Sequence, residues 1–391
     1  MAKVTTGLDR FREEYWKNLR GYRLGLLSNQ ASLDSQLIHG KEIISRLLPG
    51  QLKAIFGPQH GYEGKDQDNM VETGHAYDRE LNIPVFSLYS KHRKPLPEML
   101  DIIDILIIDL QDVGTRVYTF ASTMLNCLKA AARAGKKVLI MDRPNPLGGE
   151  TVEGNVLDPE LYSFVGPYRL PMRHGLTMGE MALMFKDVFK IDCDLEIISM
   201  KAWKRNMLWH ETELRWIMPS PNMPSQETAY VYPGQVIWEG TNLSEGRGTC
   251  RPFEIFGAPF VDTKLIKQLL IPETLEGCYL QEISFIPTFH KWKGDSCRGF
   301  MIHILDPYLY HPSFTSIALL QAVLKTCGDR FLWTRPPYEY EFEKMPIDLI
   351  LGDSSLRGAL ERGLDLFRIK EKWEEDTKNY VAWRRPYLLY A

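Results

Sequence analysis

The sequence predicts an α/β protein in which a Rossmann-like parallel sheet is followed by a second α/β domain. Over the first 150 residues, short and continuously apolar segments alternate with helical segments. This is the pattern of strands that are buried on both faces of a parallel sheet. The chain has 391 residues, more than one hydrophobic core usually holds. We therefore predict two domains, residues 1–150 and residues 151–391.

The elements predicted for the first domain follow one another in regular order. Apolar periodicity of helical type predicts helices at Leu37–Leu48 and Phe120–Ala134, and Gly135 suits the position just after a helix. The predicted strands are Tyr22–Leu27, Leu52–Phe56, Val85–Leu88, Ile102–Ile108 and Lys137–Met141.

The second domain is predicted from similar signals. Thr177 and Glu180 have the spacing of a capping box, which predicts that a helix starts there. The further predicted strands are Leu195–Met200, Glu282–Ile286 and Phe300–Leu305, and the further predicted helices are Val261–Leu270 and Ser313–Thr326.

Polar clusters rich in glycine or proline follow four of the predicted strands, at Ser28–Gln30, Gly57–Gly64, Asp109–Arg116 and Asp142–Gly149. Ligands of open parallel sheets bind outside the carboxyl ends of the strands, so these clusters are expected on one functional edge. Neither a G-x-G-x-x-G fingerprint nor a P-loop is present, which disfavours a dinucleotide site and leaves a nucleotide-dependent transferase as a minor alternative.

The richest cluster lies outside this sheet, at Trp238–Thr249, and continues to Phe253. Three glycines alternate there with acidic, amide and guanidinium side chains. Glycine allows positive φ and a close approach to a ligand, and the polar side chains supply donors, acceptors and charge. We interpret this segment as part of a binding site. The alternative is a stiff, hydrogen-bonded loop.

The composition excludes several classes of function. A net charge of −3 and a pI near 6.3 disfavour a general nucleic-acid or membrane-surface binder. The N-terminal segment lacks the apolar core of a signal peptide, and no segment has the roughly 20 apolar residues of a membrane span, so a cytoplasmic location is expected. The six cysteines form neither a C-x-x-C pair nor a zinc-site spacing, and we predict reduced thiols and no metal.

The carboxylates in these loops are the candidate catalytic groups. Hydrolysis of a glycosidic bond uses two carboxyl groups, one as acid and one as base or nucleophile. A structural role is predicted for Asp109 at the end of its strand, and an internal ion pair is the alternative for Asp142 with Arg143. The loop carboxylates are Glu63, Glu72, Asp109, Asp112, Asp142, Glu239 and Glu245.

Other polar side chains of the same loops are candidate substrate ligands. Histidine can donate to substrate oxygens or shuttle protons, arginine can grip a carboxylate, and asparagine can bond hydroxyl or amide groups. For the histidines, a hydrogen bond to the neighbouring loop backbone is the alternative. These candidates are His60, His174, Arg116, Arg143, Arg247, Asn222 and Asn242.

Taken together and in order, the loop motifs resemble the DUF1343 family, whose characterised members are exo-β-N-acetylmuramidases of the NamZ/YbbC type. The motifs that carry the resemblance are Ser28-Asn-Gln, Pro58-Gln-His-Gly, Asp109-x-Gln-Asp-Val-Gly-x-Arg116, Asp142-Arg-Pro-Asn-Pro-Leu-Gly-Gly149, Arg173-His-Gly, Pro219-Ser-Pro-Asn-Met-Pro224 and Glu239-Gly-Thr-Asn-x-Ser-Glu-Gly-Arg-Gly-Thr249.

The resemblance implies a cofactor-independent glycosidase that releases terminal β-linked N-acetylmuramic acid from peptidoglycan fragments, in cell-wall turnover or recycling. It implies an active site in a cleft between the two domains and a small amino sugar or muropeptide as the partner. The lactyl carboxylate of that sugar suits the arginine candidates. We assign catalytic roles to Glu239, Glu245, Glu72 and His60. The predicted substrate-binding residues are Asn29, Gln59, Glu63, Asp112, Arg116, Asp142, Arg143, Asn145, His174, Asn222, Asn242 and Arg247.

Gln59 departs from the family pattern, in which many members carry glutamate at this position as a favoured catalytic candidate. An amide cannot act as an acid or a base. Three outcomes follow: Glu63 or Glu72 takes the role, the essential pair lies in Glu239 and Glu245, or the activity has changed or been lost. The last outcome makes the alternative function a non-hydrolytic protein that binds sugars or muropeptides.

Overall fold

The structure, a computed structural model, describes residues 3–67 and 70–391. In chain order its strands are β1 (Leu24–Ser28), β2 (Leu52–Gly57), β3 (Ala76–Asp78), β4 (Ile83–Ser87), β5 (Ile105–Asp109), β6 (Lys137–Met141), β7 (Glu153–Val156), β8 (Pro171–Arg173), β9 (Leu195–Ile198), β10 (Ile255–Ala258), β11 (Cys278–Phe285) and β12 (Cys297–Ile304). Its α-helices are α1 (Gly7–Glu13), α2 (Gly40–Leu47), α3 (Pro97–Leu100), α4 (Phe120–Arg133), α5 (Met178–Val188), α6 (Gln226–Gln235), α7 (Thr263–Leu269), α8 (Pro312–Cys327), α9 (Pro346–Leu351), α10 (Ser354–Glu361) and α11 (Leu366–Trp383).

The main sheet has the order β3-β4-β2-β1-β5-β6-β9 among the described residues, and β3 is its one antiparallel strand. Without β3, the order matches the 3-2-1-4-5-6 arrangement of Rossmann folds. The predicted α/β class and all five predicted strands of the first domain are therefore confirmed. The predicted division at residue 150 stays a prediction, and β9 adds residues 195–198 to this same sheet.

Both faces of the sheet are buried, as its continuous apolar strands predicted. In β5, Ile105 and Ile107 pack into one hydrophobic cluster, whereas Leu106 and Ile108 pack into the cluster on the opposite face. The second cluster continues into the C-terminal half of the chain. Because one core spans both halves, the loops at the carboxyl ends of the strands are held against C-terminal segments.

The C-terminal half is built around a three-stranded antiparallel sheet, β10-β12-β11, and the long helix α8. Trp238 stacks on Phe256 of β10 with ring centroids 4.5 Å apart, which fixes the start of the glycine-rich loop to this sheet. Helix α6 was not predicted. Its residues from Thr228 to Gln235 are all buried, so no alternation of apolar and polar faces marks it in the sequence.

No helix within residues 3–67 and 70–391 is long and apolar enough to span a membrane. The six cysteines are free thiols, and Cys250 is the exposed one.

Candidate active site

A narrow cleft separates the loops after β2 and β5 from the C-terminal segments that face them. Its free volume is about 30 Å³, room for about two water molecules. The residues that line it come from both halves of the chain: Gln59, His60, Val117, Tyr118, Thr119, Val165, Ser220, Asn222, Met223, Tyr232, Glu239, Arg247, Phe253, Tyr338 and Glu339. Five predicted site residues are among them: Gln59, His60, Asn222, Glu239 and Arg247.

His60 lies on the β2 side of the cleft with φ of 69°, in the left-handed region. Its Nδ1 contacts the backbone oxygen of Asp66 at 2.5 Å. A carbonyl only accepts hydrogen bonds, so Nδ1 carries the proton. Burial lowers the pKa of His60 to about 4, against the opposing effect of the Asp66 hydrogen bond. The ring is therefore neutral at pH 7, and Nε2 is a hydrogen-bond acceptor.

Arg247 joins the two glutamates of the glycine-rich loop. One terminal nitrogen lies 2.7 Å from Oε1 of Glu239, and the other lies 2.9 Å from Oε1 of Glu245. The guanidinium carbon also lies 5.0 Å from the centre of the Phe253 ring. All three charged side chains are buried. Glu239 also accepts a hydrogen bond from the Tyr338 hydroxyl at 2.5 Å.

Glu245 is fully buried and surrounded by cationic or protonatable groups. Besides Arg247, it contacts His290 at 3.1 Å and Lys291 at 2.9 Å. Burial would raise the pKa of Glu245, but Lys291, His290 and Arg247 together hold it well below its usual range. Lys291 also donates to the backbone oxygens of Trp238 and Leu243, so this carboxylate fixes the shape of the loop.

The glycines on either side of Arg247 are needed for the backbone course. Gly246 and Gly248 have φ of 80° and 81°. A Cβ would lie 2.6 Å from the oxygen of Ile255 at the first position and 2.7 Å from the oxygen of Phe289 at the second. Both positions therefore require glycine, in agreement with the prediction that these glycines adopt positive φ.

Gln59 contacts a carboxylate, Glu339, that lies outside all the loop motifs. Its Nε2 lies 3.1 Å from Oε1 of Glu339 and 3.1 Å from the Tyr89 hydroxyl, and its Oε1 accepts from the Thr119 hydroxyl. The Tyr89 hydroxyl also accepts from the Met70 amide and lies 2.6 Å from Oε2 of Glu339. Tyr89 therefore donates its own proton to that carboxyl group.

Glu339 is the second carboxyl group of the cleft and is 4% exposed. Burial raises its pKa to about 7; the nearby charge of Glu239 adds to this effect, and the hydrogen bonds from Tyr89 and Gln59 oppose it. Glu239 and Glu339 thus differ in environment: an ion pair with arginine holds the first, and neutral donors hold the second.

Glu339 was missed because its surroundings come from distant parts of the chain. It stands in Tyr338-Glu-Tyr-Glu-Phe-Glu343, where aromatic and acidic residues alternate as in an exposed strand. The backbone instead turns, with φ of 46° at Glu339 and 68° at Tyr340. The sequence feature that could have indicated this site is the run of acidic and aromatic residues after Pro336-Pro337.

Several predicted binding residues are occupied by structural contacts outside the cleft. Arg143 binds both oxygens of Asp109, at 2.5 and 2.8 Å, so the alternative of an ion pair with Asp142 is wrong. Asp142 accepts hydrogen bonds from Thr177, Tyr390 and the Gly179 amide, and burial raises its pKa to about 6.

The amide and histidine candidates of these loops bind mainly to backbone. Asn29 donates to the oxygen of Pro219, Asn145 to that of Leu176, and Asn242 to that of Arg330. His174 accepts from the Leu176 amide through Nδ1, and its Nε2 lies 3.7 Å from Asp112.

The two candidates proposed to replace a glutamate at position 59 are on the surface. Glu63 is exposed and lies 3.5 Å from Lys65. Glu72 is also exposed. Neither lines the cleft.

Arg116 is buried and donates to four backbone oxygens rather than to a carboxylate. Its terminal nitrogens lie 2.9–3.0 Å from the oxygens of Asn155, Leu170, Ile350 and Leu351. The last two are orphan carbonyls at the C-terminal end of α9. A Cβ at Gly352 would lie 2.5 Å from the guanidinium, so this glycine permits the close approach.

Replacing Arg116 by methionine is expected to lower the free energy of unfolding by about 2–4 kcal/mol, because four buried carbonyls lose their donor. Removing the buried cation offsets only part of this loss. Urea denaturation measures this change. Arg23→Met is the control, since Arg23 forms an exposed ion pair with Asp104 that solvent screens, so a much smaller change is expected. An Arg116 variant with normal stability and a raised KM would instead identify Arg116 as a substrate ligand.

Comparison with known proteins finds the same family along nearly the whole chain. The N-terminal region described as "Exo-beta-N-acetylmuramidase NamZ, N-terminal" matches residues 24–227, and its C-terminal counterpart matches residues 230–390. A peptidoglycan β-N-acetylmuramidase NamZ from Bacillus subtilis is 40% identical over 389 residues, which cover 99% of this chain and 92% of the relative.

Two solved structures of DUF1343 family proteins from Bacteroides fragilis have the same fold. The first is 31% identical with a TM-score of 0.87, and the alignment covers 100% of both chains. The second is 28% identical with a TM-score of 0.78, and it covers 100% of this chain and 99% of that one. With both family regions matched and a relative 40% identical over nearly its full length, this chain belongs to the NamZ family of exo-β-N-acetylmuramidases.

Proposed function

We propose that this protein is a glycosidase that releases terminal β-linked N-acetylmuramic acid from peptidoglycan fragments without a cofactor. The observation that carries the proposal is the presence of two buried carboxyl groups, Glu239 and Glu339, in one cleft. Glycosidic hydrolysis uses such a pair, one member as acid and one as base or nucleophile. Their different environments suit different roles. Membership of the NamZ family supports the choice of sugar.

The other cleft residues supply contacts of the kind that a sugar needs. Neutral His60 offers Nε2 as an acceptor for a hydroxyl group. Asn222 donates to the Gln67 oxygen and leaves its own side-chain oxygen as an acceptor. Of the three arginines predicted to grip a carboxylate, Arg247 lines the cleft. We propose that it orients the lactyl group of the sugar and holds Glu239 at the same time.

Glu245, Arg116 and the residues bound to loop backbone have a positioning role in this proposal. Glu245 is the anchor of the glycine-rich loop, since three side chains hold it away from the cleft. Glu63 and Glu72 are given no catalytic role. Gln59 lines the cleft and acts through its contact with Glu339.

We further propose a cytoplasmic location and a role in cell-wall recycling. The six free cysteines support this, because unpaired thiols are typical of reducing compartments. A soluble muropeptide fragment, rather than intact cell wall, is then the substrate. The formal net charge of −3 fits a small-molecule partner better than a nucleic acid or an anionic membrane.

The activity is tested by incubating the purified protein with para-nitrophenyl β-N-acetylmuramide and, separately, with the β-N-acetylglucosaminide. We expect nitrophenol release from the muramide and at least ten-fold less from the glucosaminide, since the two sugars differ by the lactyl group. Equal hydrolysis of both would contradict the proposed specificity. Tight binding of N-acetylmuramic acid without any turnover would instead identify a binding protein.

A further inference from the structure

The contacts of Glu339 with Gln59 and Tyr89 define a proton-donor position that no loop motif revealed. We propose that Glu339 is the catalytic acid of this protein, and that Gln59 and Tyr89 are the positioning residues that hold its carboxyl group toward the glycosidic oxygen. The assignment rests on the proposed glycosidase function and adds the identity of the residue that protonates the leaving group.

Exclusion of the other acidic side chains supports this choice. Gln59 is an amide and has no acidic proton to give. Glu63 and Glu72 are exposed and do not line the cleft. Glu245 is fully buried among Arg247, His290 and Lys291 and does not line it either. Among the described acidic residues, Glu239 and Glu339 are the ones that do.

Hydrogen bonding distinguishes these two carboxyl groups. Glu239 is ion-paired with Arg247 at 2.7 Å, and its other oxygen accepts from the Tyr338 hydroxyl. Glu339 accepts one hydrogen bond on each oxygen, from the Gln59 amide and from the Tyr89 hydroxyl, which are both neutral. Each oxygen therefore keeps a second lone-pair position, where an acid proton can reside.

A hydrogen bond to the side-chain oxygen of Gln59 sets the orientation of its amide group. Thr119 donates to Oε1 of Gln59, so Nε2 must face Tyr89 and Glu339. Thr119 lies just before α4 and Tyr89 just after β4, so two rigid elements support the contact. The left-handed backbone at Glu339 and Tyr340 turns this carboxyl group inward, while Phe342 is 67% exposed.

The charged and titratable groups that act on Glu339 come from several segments. They are Tyr89, Glu239 and Arg247, together with Tyr232, Tyr338 and Tyr340. Burial and the charge of Glu239 raise the pKa of Glu339 to about 7, with hydrogen bonds from Tyr89 and Gln59 opposing the shift. A large fraction of the molecules therefore carries the acid proton at neutral pH, as a general acid requires.

The proposed reaction is hydrolysis of the glycosidic bond. The bond between C1 and the leaving oxygen breaks, and its electron pair stays on that oxygen, which takes the proton from Glu339 and departs as an alcohol. Water supplies a hydroxyl group to C1. The proton that this water releases restores the protonation state of the cleft.

The way the loss of kcat/KM in a Glu339 variant depends on the leaving group tests the assignment of the acid. Nitrophenolate leaves without protonation far more readily than a sugar hydroxyl does. We expect Glu339→Gln to lower kcat/KM on a β-N-acetylmuramyl-N-acetylglucosamine disaccharide by about 10²–10⁴-fold. The loss on para-nitrophenyl β-N-acetylmuramide is expected to be at least ten-fold smaller. Glu343→Gln is the matched control, since Glu343 is exposed on the same segment.

The pH profile gives a second, independent test. The wild-type kcat/KM is expected to fall as pH rises through about 7, because the acid loses its proton. Tyr89→Phe removes a hydrogen bond that lowers the pKa of Glu339, so the alkaline limb is expected to move upward, by about one pH unit or less. This variant keeps Glu339 itself and does not depend on the stability of the glutamine variant.

The outcomes separate the two proposals. A wild-type protein that hydrolyses neither substrate rejects the glycosidase function, and the acid assignment with it. An active wild type, with equal losses on both substrates in Glu339→Gln and an unmoved pH profile in Tyr89→Phe, rejects the acid assignment alone.

Discussion

Replacing Glu239 by glutamine is expected to lower kcat on para-nitrophenyl β-N-acetylmuramide by about 10²–10⁴-fold, the range typical of a positioned acid–base group. Glutamine has nearly the same shape, and its oxygen can still accept from the Tyr338 hydroxyl. What is lost is the negative charge beside Arg247 and the ability to take a proton or attack C1. The effect should therefore fall on kcat more than on stability.

The kinetics of Glu239→Gln are to be measured beside those of Glu273→Gln, in which an exposed glutamate outside the cleft receives the same change. The control is expected to keep wild-type kcat. A Glu239 variant that retains half or more of the wild-type rate would show that this carboxylate only shapes the loop. The nitrophenyl substrate is suited to this comparison because its departure needs little help from the acid.

Replacing Arg247 by methionine is expected to lower the free energy of unfolding by about 3–5 kcal/mol, the range for a buried ion pair that loses one partner. Arg247 neutralises Glu239 and Glu245 together, and both glutamates are buried. Without the guanidinium, Glu245 keeps its contacts with Lys291 and His290, whereas Glu239 loses its ion pair with Arg247. Activity is expected to fall as well, since Glu239 loses its position.

Urea denaturation at pH 7 measures the change, with Arg251→Met as the matched control on the same loop. Arg251 is 47% exposed as a side chain and pairs with Glu254, so its loss should cost about 1 kcal/mol or less. A similar small loss in Arg247→Met would mean that the two glutamates are stabilised by other contacts. The destabilisation by Arg247→Met should also shrink at acid pH, where protonation of the carboxylates removes the uncompensated charge.

The sequence predicted the sheet well because its signals are local. Runs such as Ile105–Ile108 are apolar on both faces, and polar residues begin where each strand ends. Thr177 and Glu180 form the predicted capping box, and helix α4 ends just before Gly135. Each of these features is decided within a few residues, so periodicity and turn chemistry are enough to find it.

The chemistry of individual carboxylates was harder to predict, because it depends on partners far along the chain. Glu239 and Glu245 look alike in the sequence, yet His290 and Lys291, some 45 residues later, anchor Glu245 away from the cleft. Arg116 has the form of an anion ligand but is used on backbone oxygens near residue 350. Glu339 gains its environment from Gln59, 280 residues away.

The small free volume of the cleft has a consequence for affinity measurements. About 30 Å³ is far below the ~300 Å³ or more of typical ligand pockets, and Tyr338 and Glu339 reach from one wall to Glu239 and Gln59. We therefore expect the cleft to widen when a sugar binds. The apparent dissociation constant equals the intrinsic one divided by the open fraction. Weak binding of a free sugar would then reflect the free energy of widening the cleft, and fragments that also stabilise the wider cleft would bind more tightly than their sugar contacts alone explain.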